Sequence, residues 1–184
     1  MKKRPASDPR KRKGLIIVNT GDGKGKSTAA FGVAVRAAGN KMNVFIMQFM
    51  KGNWKAGERK SFDKLAPQIE IVPMGDGFTW DTQNPEQDRN TARKAWNIAI
   101  EKLNSGNYHL VVLDEINYVL DYGFFPLEEF LQAIRNKPPH VHVICTGRNA
   151  PDDLIKLADL VTEMRCIKHP FKDQQIPAQK GIEF

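Results

Sequence analysis

The chain has few cysteines, no long apolar run and no clustered histidines, and each shortage removes a class of function. Its two cysteines, Cys145 and Cys166, stand apart with no Cys-x-x-Cys pair. Neither a disulfide framework nor a zinc site is therefore indicated, and a reducing cytoplasm is the expected compartment. The longest apolar runs, at residues 15–18 and 110–113, have the length of strands and are far too short to cross a bilayer. The basic N-terminus leads into one of these runs and then into a polar, glycine-rich stretch, which is not the apolar segment of a secretory signal. None of the four histidines has ligand-like spacing and no Gly-x-Ser-x-Gly elbow is present, so His109, His140, His142 and His169 are expected to be structural or solvated.

Acidic residues are scarce only at the N-terminus. The 184 residues carry a net charge of +7, which on its own suggests a nucleic-acid binder. Seven of the 28 basic residues (Lys2, Lys3, Arg4, Arg10, Lys11, Arg12 and Lys13) fall within residues 1–13, where Asp8 is the single acid. Residues 14–184 hold 21 basic against 20 acidic residues and are nearly neutral. Residues 1–13 thus read as a flexible basic arm, free of apolar periodicity, and residues 14–184 as one domain long enough to bury a core. Such an arm, with no apolar face and no lipidation motif, gives only weak membrane attachment, and no membrane partner is expected.

Within residues 14–184, strand-length apolar runs alternate with helix-like stretches. The strand candidates are 15–19, 44–49, 69–73, 110–113, 141–146 and 160–163; the helix candidates are 26–38, 87–103, 127–136 and one beginning near 151. Continuous apolar strands separated by helices imply a parallel sheet covered on both faces, with right-handed crossovers. In such sheets ligands bind beyond the carboxyl ends of the strands, so the residues just after each strand matter most.

After the first strand the chain reads Thr20-Gly21-Asp22-Gly23-Lys24-Gly25-Lys26-Ser27-Thr28. Glycines let the backbone wrap tightly and aim its N–H groups inward, and the following helix adds the positive end of its dipole. Lys26 supplies a point charge for phosphate, and Ser27 a hydroxyl for Mg²⁺ or Mn²⁺. Gly21 to Thr28 are therefore the expected ATP-binding residues. The usual pattern places glycine where this chain has Thr20, so the loop is a variant whose phosphates need not take the common register. The run LVVLDE (residues 110–115) ends a buried strand in Asp114 and Glu115, candidates to hold the metal or its waters, with Glu115 able to polarise a water in a hydrolase. Arg148, after the strand ending at Thr146, could meet a triphosphate. A segment with Phe78 and Trp80, GDGFTWDTQN (75–84), reads either as a core plug or hairpin or as a flat platform for a ligand. On these residues alone a nucleotide hydrolase or motor subunit, and an ATP-regulated nucleic-acid module using the arm, remain open.

The segments TGDGKGKSTAAFGVAVRAAG, QFMKGNW with GER, GDGFTWDTQN, VVLDEINYVLDYGFFPLEE, TGRNAPDDLIKLADLVTEM, KHPF and the terminal AQKGIEF together resemble the P-loop type of ATP:corrinoid (cob(I)alamin) adenosyltransferases. The resemblance implies an α/β fold, a P-loop NTPase-like (RecA-like), mostly parallel sheet with helices on both faces. It implies transfer of the 5′-deoxyadenosyl group of ATP to Co(I) of a corrinoid, cobalamin or cobinamide, with release of tripolyphosphate. Lys26, Glu115 and Arg148 would then be catalytic, Ser27, Asp114 and Glu115 would hold the metal, and Phe78 and Trp80 would close the lower face of the corrin. The variant loop spacing agrees with the reversed sense in which this family binds its nucleotide. The resemblance further implies a flavodoxin-like flavoprotein reductant, a homodimer and no nucleic-acid partner. The arm matches none of the family's motifs, and its expected behaviour, mobile in the free protein and folding toward the site when both substrates are bound, is a separate hypothesis.

Overall fold

A computed structural model describes residues 13–50, 57–75 and 84–183. Six strands, β1 (Ile16–Thr20), β2 (Val44–Gln48), β3 (Ile69–Pro73), β4 (Leu110–Asp114), β5 (His142–Thr146) and β6 (Leu160–Glu163), form one sheet in the order β3-β2-β4-β5-β1-β6. Every neighbouring pair is parallel. The intervening helices are α1 (Lys26–Gly39), α2 (Gly57–Asp63), α3 (Pro85–Asn104), α4 (Ile116–Asp121), α5 (Leu127–Arg135), α6 (Asp152–Leu157) and α7 (Pro170–Gln174).

The period-2 alternation of strand side chains sends them to two cores. Val44 and Ile46 of β2, Leu110 and Val112 of β4 and Ile144 of β5 pack with Ala30, Phe31, Ala34, Ala37 and Ala38 of α1. The small residues of α1 let its backbone lie close to the sheet, and Ala30 and Ala34 are fully buried. On the other face Phe45, Met47, Val111, Leu113, Val143 and Cys145 meet α3, α4 and α5. The face α3 presents follows helical spacing, Ala92, Ala95, Trp96, Ala99 and Leu103. It begins at an Asn84 cap that accepts the Gln87 N–H, followed by Pro85 in the first turn, the combination that satisfies exposed amides and pre-sets the first φ. Trp96 stacks on Phe125 with ring centroids 5.3 Å apart, and its indole N–H donates to Glu129.

The expected strands recur within about a residue at their ends, as boundaries do. Three short helices, α2, α4 and α7, were not anticipated: seven, six and five residues are too few to establish a period. One strand departs from the expectation of burial on both faces. All four residues of β6, which pairs only with β1 at one edge of the sheet, are exposed. Both cysteines are free thiols, and burial pushes that of Cys145 up to about 12. The arm, apart from Lys13, lies outside the described residues.

Candidate active site

β1 and β4 are separated by β5, and all three strands end at the same edge. Their last residues turn from apolar to polar, and register aligns them in a row: Gln48 lies opposite Asp114, and Asn19 opposite Thr146. Asp114 and Thr146 are fully buried and Gln48 nearly so. The Thr146 hydroxyl donates to Asp114 Oδ1 at 2.8 Å, and Gln48 Nε2 donates to Oδ2 at 3.1 Å. A buried carboxylate is sustained by such donors. The Thr146 oxygen also accepts the Glu115 N–H at 2.9 Å, so one hydroxyl holds both acids. Glu115 has φ 64°, a left-handed conformation uncommon for a residue with a side chain, and this turn starts α4 at once. Gly147 lies against it: a Cβ there would stand 2.9 Å from Asn117 Cβ and 3.2 Å from Glu115 Oε2. Asn117, itself buried, donates to the Gly147 carbonyl at 2.9 Å.

The phosphate loop joins β1 to α1. Thr20 ends β1, and its hydroxyl oxygen accepts the Ala150 N–H at 3.2 Å, which ties the loop to the segment after β5. Gly21 has φ 91°, and a Cβ on it would approach Met164 O to 2.6 Å. Gly23 is equally hemmed in by Met164 and Arg165 and donates its N–H to Met164 O at 2.6 Å. The glycines are thus demanded by the chain leaving β6, which braces the loop from outside. Lys26 Nζ donates to the carbonyls of Gly21 at 2.8 Å and Gly23 at 2.7 Å, holding the loop closed around the ammonium. Burial pulls the Lys26 pKa below 10.5, while the negative charge of Glu115 works in the opposite sense. Ser27 and Thr28 follow in the first turn of α1, where amide N–H groups have no helical partner.

Arg148 stands at the same mouth, its Nε 3.8 Å from Asp22 Oδ1, and its charge is felt by Lys26 and Tyr118. Lys24 reaches instead to Glu183 Oε2 at 2.6 Å, so the C-terminal segment is anchored on the loop. The expected residues Gly21 to Thr28, Asp114, Glu115 and Arg148 are therefore gathered at one edge. Phe78 and Trp80 lie outside the described residues. The segment that holds them departs from β3 through Gly75, where φ is 146° and a Cβ would come within 2.6 Å of Phe49 O. Thr146, Gln48 and Asn117 escaped the sequence reading. The signal available was the switch to a polar residue at the end of each buried strand.

Three of the four histidines accept backbone N–H groups, and His140 is exposed. Nδ1 of His142 accepts the Leu15 N–H, Nδ1 of His109 that of Asn43, and Nδ1 of His169 those of Phe171 and Lys172 at the start of α7. Among the described residues no helix is long and apolar enough to cross a membrane.

Among solved structures, the flagellar accessory protein FlaH of Methanocaldococcus jannaschii superimposes with a TM-score of 0.50 over 82% of this chain and 70% of its own, at 12% identity, a likeness of fold alone. A corrinoid adenosyltransferase from Sinorhizobium sp is 47% identical over 174 residues, covering 94% of this chain and 81% of that protein. The Escherichia coli K12 corrinoid adenosyltransferase is 44% identical over 172 residues, 94% of this chain and 86% of its own. Residues 12–184 match the family described as ATP:corrinoid adenosyltransferase BtuR/CobO/CobP, and with the phosphate loop and the two acids assembled at one sheet edge, the chain belongs to that family.

Proposed function

We propose that the chain transfers the 5′-deoxyadenosyl group of ATP to the cobalt of a corrinoid and releases tripolyphosphate, in the making of adenosylated cobalamin. The observation that carries this reading is the family match over residues 12–184, borne on a formed phosphate loop. The electron pair of Co(I) forms the bond to C5′, and the C5′–O bond breaks with its pair leaving on the triphosphate. Because Co(I) is itself the nucleophile, no side-chain base has to activate it. What the protein must supply is orientation and stabilisation of the departing charge.

Those tasks fall to residues already in place. Lys26, now on the carbonyls of Gly21 and Gly23, would exchange these partners for phosphate oxygens, and the first-turn amides of α1 would bind others. Arg148 would meet the leaving triphosphate from the mouth. The donors Ser27, Asp114 and Glu115 are hard oxygens, a set suited to Mg²⁺ or Mn²⁺ and not to a softer metal. These three residues would hold the ion, which supplies neutralisation of triphosphate charge when bound. Asp114 is held in place by hydrogen bonds from Gln48 and Thr146, whereas Glu115 is aimed by its left-handed backbone. Phe78 and Trp80 would close the lower face of the corrin, which lowers the energy demand for reducing Co(II). A flavodoxin-like flavoprotein would supply the electron in the cytoplasm, and the protein would act as a homodimer.

The test is to incubate the protein with ATP, MgCl₂ and chemically reduced cobalamin while following the corrin absorption spectrum and the phosphate products. Conversion to the alkylated corrinoid with equimolar tripolyphosphate is expected. Orthophosphate release independent of corrinoid would replace this reading with a nucleotide hydrolase in which Glu115 polarises water.

A further inference from the structure

A second concavity opens on the α3 side of the sheet. Its volume is about 630 Å³, and its walls are Arg89, Asn90 and Arg93 on one side and the turn from Leu120 to Leu127 on the other. Phe124 and Phe125 are buried and form its apolar floor. The first half of α3 brings Arg89 and Arg93 four residues apart, on one face of the helix.

The two arginines differ in their commitments. Arg93 donates to Glu129 Oε1 and places its guanidinium 5.0 Å from the centroid of Phe125. Glu129 also accepts the Trp96 indole N–H, so Arg93 is anchored by packing and by a shared acid. Arg89, one turn nearer the carboxyl edge of the sheet, is exposed and makes no ion pair among the described residues. An uncommitted guanidinium, an amide beside it and an aromatic floor form a recess complementary to an anion borne on a bulky organic group.

The recess also connects to the triphosphate site. Tyr118, which shares the fields of Glu115 and Arg148, has its ring 6.2 Å from Tyr122, and Tyr122 lies 5.7 Å from Phe124 in the recess wall. An aromatic ridge therefore runs from the acids to the arginines. A ligand that uses both ends must be wide, with a reactive centre at one end and an anionic group at the other. ATP places its anionic part in the phosphate loop. A corrinoid with a complete nucleotide tail has a wide ring and a phosphodiester remote from its metal.

We propose that this recess, with Arg89 as its anion contact, is a subsite for the phosphodiester of the corrinoid's nucleotide tail. The proposal rests on the reading of the chain as a corrinoid adenosyltransferase. It makes the recess a determinant of specificity between complete corrinoids and those lacking the tail.

The experiment measures kcat and KM for chemically reduced cobalamin and for cobinamide, which has no phosphodiester tail, with wild type, Arg89→Ala and Arg89→Lys. Chemical reduction keeps any protein reductant out of the assay. Arg89→Ala is expected to raise the ratio of the cobalamin KM to the cobinamide KM by about tenfold or more, the value of one hydrogen bond to a charged group. Arg89→Lys, keeping the charge without the fork, should fall between the two. An unchanged ratio, whether both KM values rise together or neither moves, would overturn the proposal. So would a loss that appears in a parallel assay driven by a flavodoxin-like flavoprotein and is absent with chemical reduction, which would make Arg89 part of a docking surface. A wild type that alkylates neither corrinoid would instead remove the reading beneath it.

Discussion

Replacing Thr146 with valine keeps the shape of the side chain and deletes one hydroxyl, yet that hydroxyl serves both acids of the site. It donates to the buried Asp114 carboxylate at 2.8 Å and accepts the Glu115 N–H at 2.9 Å. A hydrogen bond to a charged group contributes about 1.5–3 kcal/mol, and a part-buried amide left without an acceptor costs about 1 kcal/mol, so the variant should lose about 2.5–4 kcal/mol of stability. That is a large share of the ~5–15 kcal/mol typical of folded domains. Urea denaturation would register it as a lower midpoint at constant slope. Turnover should fall as well, because Glu115 loses the contact that fixes its strained backbone, while the KM for ATP should change less than kcat. A cycle with Asp114→Asn should reveal coupling of at least about 0.5 kcal/mol between the two positions. A loss below about 0.5 kcal/mol, the scatter of ordinary surface substitutions, together with undiminished kcat would refute the assignment of Thr146 as the support of the acids.

Lys26→Ala removes the charge that closes the loop onto the Gly21 and Gly23 carbonyls; the KM for ATP should rise about ten- to a hundredfold in initial-rate assays, and an unchanged value would dismiss the proposed cradle. Asp159 offers a pH test remote from the site. Its carboxyl is held below the ordinary 3.8 by the Lys13 ammonium and the Ile16 N–H. A depressed folded pKa means that the stabilisation is present above 3.8 and disappears as pH falls through the lower folded value. Asp159→Asn should therefore flatten the acid limb of a stability–pH curve measured by thermal melts, with the two proteins converging at the acid end; parallel curves would contradict the pairing.

Much of the fold was legible because it rests on local patterns. Residues 44–47 and 110–113 are apolar throughout, which suits strands covered on both faces, and α1 declares itself by the glycine that precedes it and its run of alanines. The candidate phosphate loop, the two acids and Arg148 were readable for a related reason: each follows a strand, and parallel strands all deliver their carboxyl ends to one edge. The helix α4 was hidden because six residues cannot display a helical period. Thr146 and Gln48 were passed over because a single polar residue ending an apolar strand marks the edge of the sheet without saying which acid it will face.

The sequence by itself determined the element types, the phosphate loop and the edge of the sheet at which chemistry can occur, since these depend on side-chain periodicity and on residues adjacent in the chain. Tertiary structure alone decided which strand lies between β1 and β4. That choice places Thr146 against Asp114, 32 residues away, brings Met164 and Arg165 against the loop glycines, and seats Glu183 on Lys24 across 159 residues. Such contacts depend on the order in which strands pair. Loop-closure entropy changes only slowly with chain separation, so local sequence places little constraint on that order, and it is the fit of the two cores on either side of the sheet that selects it.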